Sequence, residues 1–294
     1  MDTNGQSKMD KDPLGTRIKE NYENRTRYSL PRRTYTLIRL DGKSFHTYTR
    51  GLKKPFDKDL YEDMDAAIIA MMPEIQGAVF AYTQSDEISI LLTDFALPTT
   101  SAWFDGNLQK MCSVGAAIIT AEFNALRLRR LFKKYDEDKT SLAFGFIDGA
   151  IKLATPAYFD ARVFTIPDRT EVMNYFIWRN QDCSRNSVSM VAQHNFSHKE
   201  LQGKSTPQMH DMLHDKGINW ATDFTDGEKN GRLIVKEQYL APLTPSQNTD
   251  GKIHIDCAIT NEGVGALRSR WVSKGAWKFT EDKGRLLTMI PKYE

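Results

Sequence analysis

The sequence is poor in the residues that staple a chain or ligate soft metals. Its 294 residues hold three cysteines, Cys112, Cys183 and Cys257, widely spaced and with no C-x-x-C pair, so neither a disulfide framework nor a zinc site is indicated. Long apolar runs are missing as well. Stretches such as Ala66 to Met72 are too short to cross a bilayer, and the leading MDTNGQSKMDKD has no apolar core of the kind a signal peptide needs. The expectation is a cytoplasmic protein with no membrane partner. Charge of one sign is lacking too: 40 Lys and Arg stand against 38 Asp and Glu, a formal net charge of +2. A nucleic-acid partner would therefore have to be held by a local basic patch rather than by bulk charge. There is no internal repeat, no H-E-x-x-H and no G-x-G-x-x-G. Two G-K-S triplets, at Gly42 and Gly203, lack the glycine five residues earlier that a phosphate-binding loop requires, since Leu37 and His198 stand there.

What is present is the composition of an ordinary globular chain, 40% apolar and 27% charged. Residues 1–27 are polar and read as an arm. The apolar run Tyr35 to Leu40 predicts a strand that stops at Asp41-Gly42. From Lys58 to Met72 the apolar residues Leu60, Met64, Ala67, Ile68 and Met71 fall at helical spacing, closed by Pro73 and Gly77. Ala78 to Thr83 and Ile88 to Leu92 read as a hairpin around Gln84-Ser85-Asp86-Glu87. A long helix is predicted from Leu108 to Phe132, and a strand from Leu142 to Phe146. The order β-α-β-β-α-β predicts an α+β fold, a ferredoxin-like palm core over residues 28–150. Residues 151–294 would pack on it as a further helix, Glu171 to Gln193, and a β-rich extension from about Arg232, with turns between Pro242 and Gly251.

In that topology strands one and three are antiparallel neighbours, which brings Asp41 beside Asp86 and Glu87. Carboxylates gathered so closely stay ionised only with cations between them. Magnesium, with its preference for oxygen and for open positions that phosphates can fill, suits Asp41, the Gly42 carbonyl and Asp86. Two such ions would lower the pKa of an attacking hydroxyl and screen a triphosphate. Lys43, Ser44, Phe45 and His46 follow directly and offer phosphate and base contacts. Taken singly, each motif also reads as a plain turn, Phe45 as core and His46 as a surface or packing histidine.

Taken together, Arg39-Leu40-Asp41-Gly42-Lys43-Ser44-Phe45-His46 and Gln84-Ser85-Asp86-Glu87 resemble the tRNA(His) guanylyltransferase family with its bacterial, archaeal and phage relatives. Lys54-Pro55, Trp103-Phe104, Lys110, Ser113, Phe159-Asp160-Ala161-Arg162, Trp178-Arg179 and Asp182-Cys183 extend the match over about Asp12 to Trp220. The resemblance implies a palm enzyme that adds nucleotides to the 5′ end of tRNA in the 3′ to 5′ direction. ATP and GTP would be substrates and two magnesium ions cofactors, within a homotetramer. By position it makes Asp41, Gly42 and Asp86 the metal ligands with Glu87 supporting them. Lys43 to His46 and Ser85 become nucleotide contacts, Asp57 a guanine contact, and Lys54 and Lys110 triphosphate or tRNA ligands.

Two departures bear on the substrate. Ser184 to Met190 replaces the H-I-N-N-L-Y-N of eukaryotic members, as in the bacterial and archaeal branch that favours templated 5′ repair. Asn107 stands where the family has an arginine. The basic run Arg127, Arg129, Arg130, Lys133 and Lys134 offers tRNA phosphate contacts or a solvated helix end. Two rivals stay open: a palm nucleotidyl cyclase or dinucleotide synthase, and a catalytically silent tRNA-binding protein.

Overall fold

The computed structural model describes residues 12–137, 155–241, 246–247, 253–254, 258–260 and 263–293. In chain order the elements begin with α1 (Pro13–Asn21), β1 (Tyr35–Gly42), the short α2 (Phe45–Tyr48), α3 (Lys58–Met71), β2 (Ala78–Gln84), β3 (Glu87–Leu92) and α4 (Leu108–Glu137). After these come β4 (Phe159–Ile166), α5 (Arg169–Asn195), α6 (His198–Leu201), α7 (Thr206–Asp215), α8 (Trp220–Asp223) and α9 (Asp226–Asn230). The chain closes with β5 (Arg232–Ala241), β6 (Ser246–Gln247), β7 (Ile253–His254), β8 (Ala258–Thr260), β9 (Gly263–Gly275) and α10 (Lys283–Met289).

Seven strands form one sheet in the order β4-β1-β3-β2-β5-β9-β8, every neighbour antiparallel. Alternation along β1 explains its two faces. Ile38 and Leu40 point into a cluster with Leu60, Met64 and Ile68 of α3 and Ile119 and Phe123 of α4. Tyr35 and Leu37 point the other way, onto Val172 and Phe176 of α5 and Leu286 of α10. Burying both faces is what the near-continuous apolar runs of β1 to β3 demand.

α3 forms where the periodicity predicts it. Asp57 caps its N-terminus by accepting from the Leu60 amide at 2.8 Å, and its apolar stripe is buried as expected. α4 also runs as predicted, starting at Asn107, whose side chain accepts from the Lys110 amide at 3.0 Å. Its span Leu108–Lys133 is long and apolar enough, by length and composition, to cross a membrane. Here it lies on the sheet, with Met111, Ile119 and Phe123 in the core.

The predicted strand Leu142 to Phe146 lies outside the described residues, as do most of the turns between Pro242 and Gly251 and Cys257. The strand that flanks β1 is β4, whose register runs from Tyr35 opposite Ile166 to Gly42 opposite Phe159. Its alternating Phe159, Ala161 and Val163 pack on the core while Asp160 and Arg162 face away, a short period-two signal the sequence reading passed over. In the segment read as a polar arm, residues 13–21 form a helix with no buried residue, capped by Asp12.

The basic run of α4 has a different use from the one offered as tRNA contact. Arg127 is buried and donates to Asp63 at 2.8 Å, and Arg130 reaches Asp59, Glu62 and Asp63 of α3. These cations clamp two helices together, so two of the supposed phosphate contacts are internal.

Candidate active site

β1 and β3 end at the same place. Asp41 is the cross-strand partner of Glu87, and on its other side the partner of Asp160. Asp86 precedes Glu87 in the tight β2–β3 turn, whose Ser85 takes a left-handed conformation at φ 49°. Glycine follows Asp41 for a steric reason: a Cβ on Gly42 would sit 2.2 Å from the Phe45 ring. That ring is itself fixed among Tyr48, Phe123 and Phe159, with centroids 4.9 to 5.9 Å apart.

Asp41, Ser85, Asp86 and Glu87 line a cleft of about 230 Å³ between the sheet end and α5. Its other walls are Phe56, Tyr61, Arg179, Asp182, Cys183, Arg232 and their neighbours. Burial pushes the Asp86 carboxyl up to about 6, and the negative charges of Asp41 and Glu87 add to the rise. Hydrogen bonds from its own backbone amide and from Ser85 oppose it. Neither Asp41 nor Asp86 forms an ion pair among the described residues. Glu87 does: Arg179 of α5 donates to both its oxygens at 2.6 Å and to Asp182 at 3.1 Å. The guanidinium also lies over the Trp178 ring, 4.4 Å from its centroid.

Among the described residues no three His, Cys, Asp or Glu side chains are placed to hold one metal, which rules out a closed all-protein cage there. Asp41 and Asp86 are left as two carboxylates of the cleft with no cationic side chain paired to them among the described residues.

The sequence-predicted residues are partly brought together. Asp41, Ser85, Asp86 and Glu87 share the cleft, and Gly42 adjoins it along β1. Glu87 is turned onto Arg179, so it braces the site rather than offering free oxygens. Phe45 is a correction: its ring is buried in the core, where no base can stack on it. Asp57, half-buried, has a local task as well, since its oxygens accept from the Lys53 and Leu60 amides at 3.0 and 2.8 Å, closing the loop and capping α3. The Lys43 amide donates to the Tyr158 carbonyl at 2.8 Å, and the exposed His46 ring contacts the Thr47 hydroxyl at 3.0 Å. Lys54 lines a neighbouring depression with Pro55, Met190, Gln193 and His194. Lys110 lies off the cleft, with its ammonium 5.9 Å from the centre of the Phe104 ring.

With that geometry in hand, likeness to known proteins is decisive. The family model for tRNAHis guanylyltransferase matches residues 16–167. The chain belongs to this family. A bacterial tRNA(His) guanylyltransferase-like protein in complex with ATP superposes with a TM-score of 0.72 at 36% identity, covering 95% of this chain and 99% of the other. Its counterpart in complex with GTP gives 0.69 at 35%, covering 94% and 98%. Among named relatives, the tRNA(His) guanylyltransferase of Debaryomyces hansenii is 26% identical over 69% of this chain and 74% of its own length. The chain shares the mixed helix and antiparallel sheet fold of these tRNA(His) guanylyltransferase-like structures.

Roles for Arg179, Asp182, Tyr61 and Arg232 were missed from the sequence. Arg179 and Asp182 are three apart on α5 and so share a helix face, a signal that could have been used. Tyr61 and Arg232 come from α3 and β5 and meet only through the fold.

Proposed function

We propose that this chain is a magnesium-dependent nucleotidyltransferase that extends tRNA at its 5′ end in the 3′ to 5′ direction. The observation that carries the reading is the pair Asp41 and Asp86, juxtaposed by β1 and β3 at a cleft and free of cationic partners. Support comes from the family and from the ATP- and GTP-bound state of its structural neighbours. In this reading strands β4-β1-β3-β2 with α3 and α4 are a ferredoxin-like polymerase palm.

Asp41, the Gly42 carbonyl and Asp86 would hold the metal, which supplies neutralisation of phosphate charge and a more acidic attacking hydroxyl. The chain's own part is positioning. Arg179 neutralises Glu87, which leaves Asp41 and Asp86 as the acids proposed to take the metal. Gly42 and Phe45 fix the turn that carries Asp41. Lys43, Ser44, His46, Ser85, Lys54 and Lys110 are the proposed nucleotide and tRNA contacts.

The reaction runs in three balanced steps. The 5′-monophosphate of tRNA attacks the α-phosphorus of ATP and releases pyrophosphate. The 3′-hydroxyl of an incoming nucleoside triphosphate such as GTP then attacks the tRNA 5′-phosphorus and displaces AMP. Hydrolysis removes pyrophosphate from the new 5′ end. Catalysis is alignment and charge neutralisation, as in other phosphoryl transfers. A homotetramer that positions tRNA across subunits, acting in the cytoplasm, completes the proposal. The Ser184 to Met190 segment favours templated repair over guanylate addition to complete tRNA(His).

The test is to incubate the protein with magnesium, ATP and all four nucleoside triphosphates. The substrates are 5′-phosphorylated tRNAs, either complete or lacking the first nucleotide. Templated growth of the truncated tRNA supports repair, and growth of complete tRNA(His) alone supports maturation. No growth of either RNA would overturn the reading.

A further inference from the structure

We infer that Arg232 is a phosphate-binding residue of the cleft that Asp41 and Asp86 also line, its guanidinium set to take oxygens of a substrate phosphate. The inference rests on the nucleotidyl-transfer reading and names a binding residue that the motifs did not reach.

Arg232 opens β5, where its backbone is clamped between Thr83 of β2 and Gly275 of β9. Its Nε donates to Asp65 at 2.6 Å, and Asp65 also accepts from the Ser273 hydroxyl at 2.7 Å. The guanidinium lies over the Tyr61 ring, 4.4 Å from its centroid. Its aliphatic stem is held by the backbone at Gly227, where a Cβ would come within 3.2 Å of Cγ. The side chain is 9% exposed, yet it lines the cleft.

Held from so many sides, the guanidinium is pre-ordered, but it is not saturated. Nη2 is buried and has no acceptor among the described residues. An unmet buried donor of this kind is destabilising, more so on a charged group, a loss that a bound anion would recover. Arginine's planar fork matches phosphate oxygens, while a stacked and partly paired arginine loses little freedom on binding. The other cleft guanidinium, Arg179, is committed to Glu87 and Asp182. Among five carboxylates lining this cleft (Asp41, Asp86, Glu87, Asp182 and Glu228), Arg232 is the lining cation with a buried donor left without an acceptor among the described residues. Its phosphate could belong to the nucleoside triphosphate or to the tRNA 5′ end.

The experiment measures equilibrium binding of GTP, guanosine, 5′-phosphorylated tRNA and 5′-hydroxyl tRNA to wild type and three variants. Arg232→Lys keeps the charge beside Asp65 but removes the fork. The double variant Asp65→Asn with Arg232→Met removes the ion pair whole, which protects the fold if the single change unfolds it. Asp65→Asn alone breaks the pair and keeps the guanidinium. The expected result is GTP binding about tenfold or more weaker in both Arg232 variants, with guanosine unchanged and Asp65→Asn close to wild type. Loss of the preference for 5′-phosphorylated over 5′-hydroxyl tRNA, with GTP unchanged, would assign the phosphate to the RNA. Wild-type affinity for every probe in both Arg232 variants would overturn the inference alone. Wild type that binds no probe would overturn it together with the proposed function.

Discussion

Glu87 and Asp41 face each other across the β1–β3 ladder, yet their carboxylates have different fates: Glu87 is neutralised by Arg179 and Asp41 is not. One end of the sheet thus carries a braced acid beside two acids with no cationic partner among the described residues.

Asp86 is held at a cost. Its carboxyl titrates near 6 in the fold instead of at its ordinary 3.8, so the folded state binds the proton more tightly than the unfolded chain does. The protein therefore loses stability as pH rises from about 4 through 6, and in metal-free buffer at pH 7.5 the penalty approaches about 3 kcal/mol. Asp86→Asn is expected to abolish nucleotide addition and to raise the urea midpoint in EDTA at pH 7.5, with the gain vanishing near pH 4. An unchanged midpoint at both pH values would show that burial of Asp86 carries no such cost.

The Glu87–Arg179 pair joins the sheet end to α5. Arg179→Met would leave Glu87 beside Asp41 and Asp86 with no cation, at about 3–5 kcal/mol. In a chain of this size that lowers the thermal midpoint by roughly 5–10 °C. Adding Glu87→Gln to Arg179→Met should recover part of the loss. Thermal denaturation of the two singles and the double decides it: additive losses would mean no coupling between the residues.

Gly42 has no room for a methyl group. Gly42→Ala must push either the Phe45 ring out of its aromatic cluster or the Asp41 turn out of place. Overpacking of this kind costs about 1–3 kcal/mol, and an ångström of misplacement costs about a hundredfold in rate. Turnover should therefore fall further than stability, at a temperature where circular dichroism shows the variant folded. A rate within twofold of wild type would mean that the Asp41 turn tolerates the shift.

Cys183 lines the cleft but should be inert. Burial pushes its thiol up to about 11, so little thiolate exists at pH 8. Iodoacetamide at pH 8 should leave Cys183 unmodified in the folded protein and modify it in urea, as read by peptide mass spectrometry. Rapid native labelling would contradict the assigned environment.

Much of the frame was legible because its signals are local. The apolar stripe of α3, the Pro73 stop and the alternation broken at Asp41-Gly42 each report on a few neighbouring residues, and the structure places those elements within a residue or two of their predicted ends. The meeting of Asp41 with Asp86 and Glu87 could also be foreseen, since antiparallel pairing of strands one and three follows from their order. β4 was missed because its run is short and half polar, and the true use of Arg127 and Arg130 was hidden because their acids lie on another helix.

The sequence by itself determined the chemistry available: carboxylates at a strand end, and motifs specific enough to point to one family. Only the tertiary structure decided which of those groups are free. A carboxylate's charge is spoken for or not according to what stands within about 3 Å of it. For Glu87, Asp57 and Arg232 those neighbours come from α5, the Lys53 and Leu60 amides around the start of α3, and the Asp65–Tyr61 face of α3. Hydrogen bonds and ion pairs fall off over a few ångströms, whereas sequence periodicity reports only the face on which a residue lies.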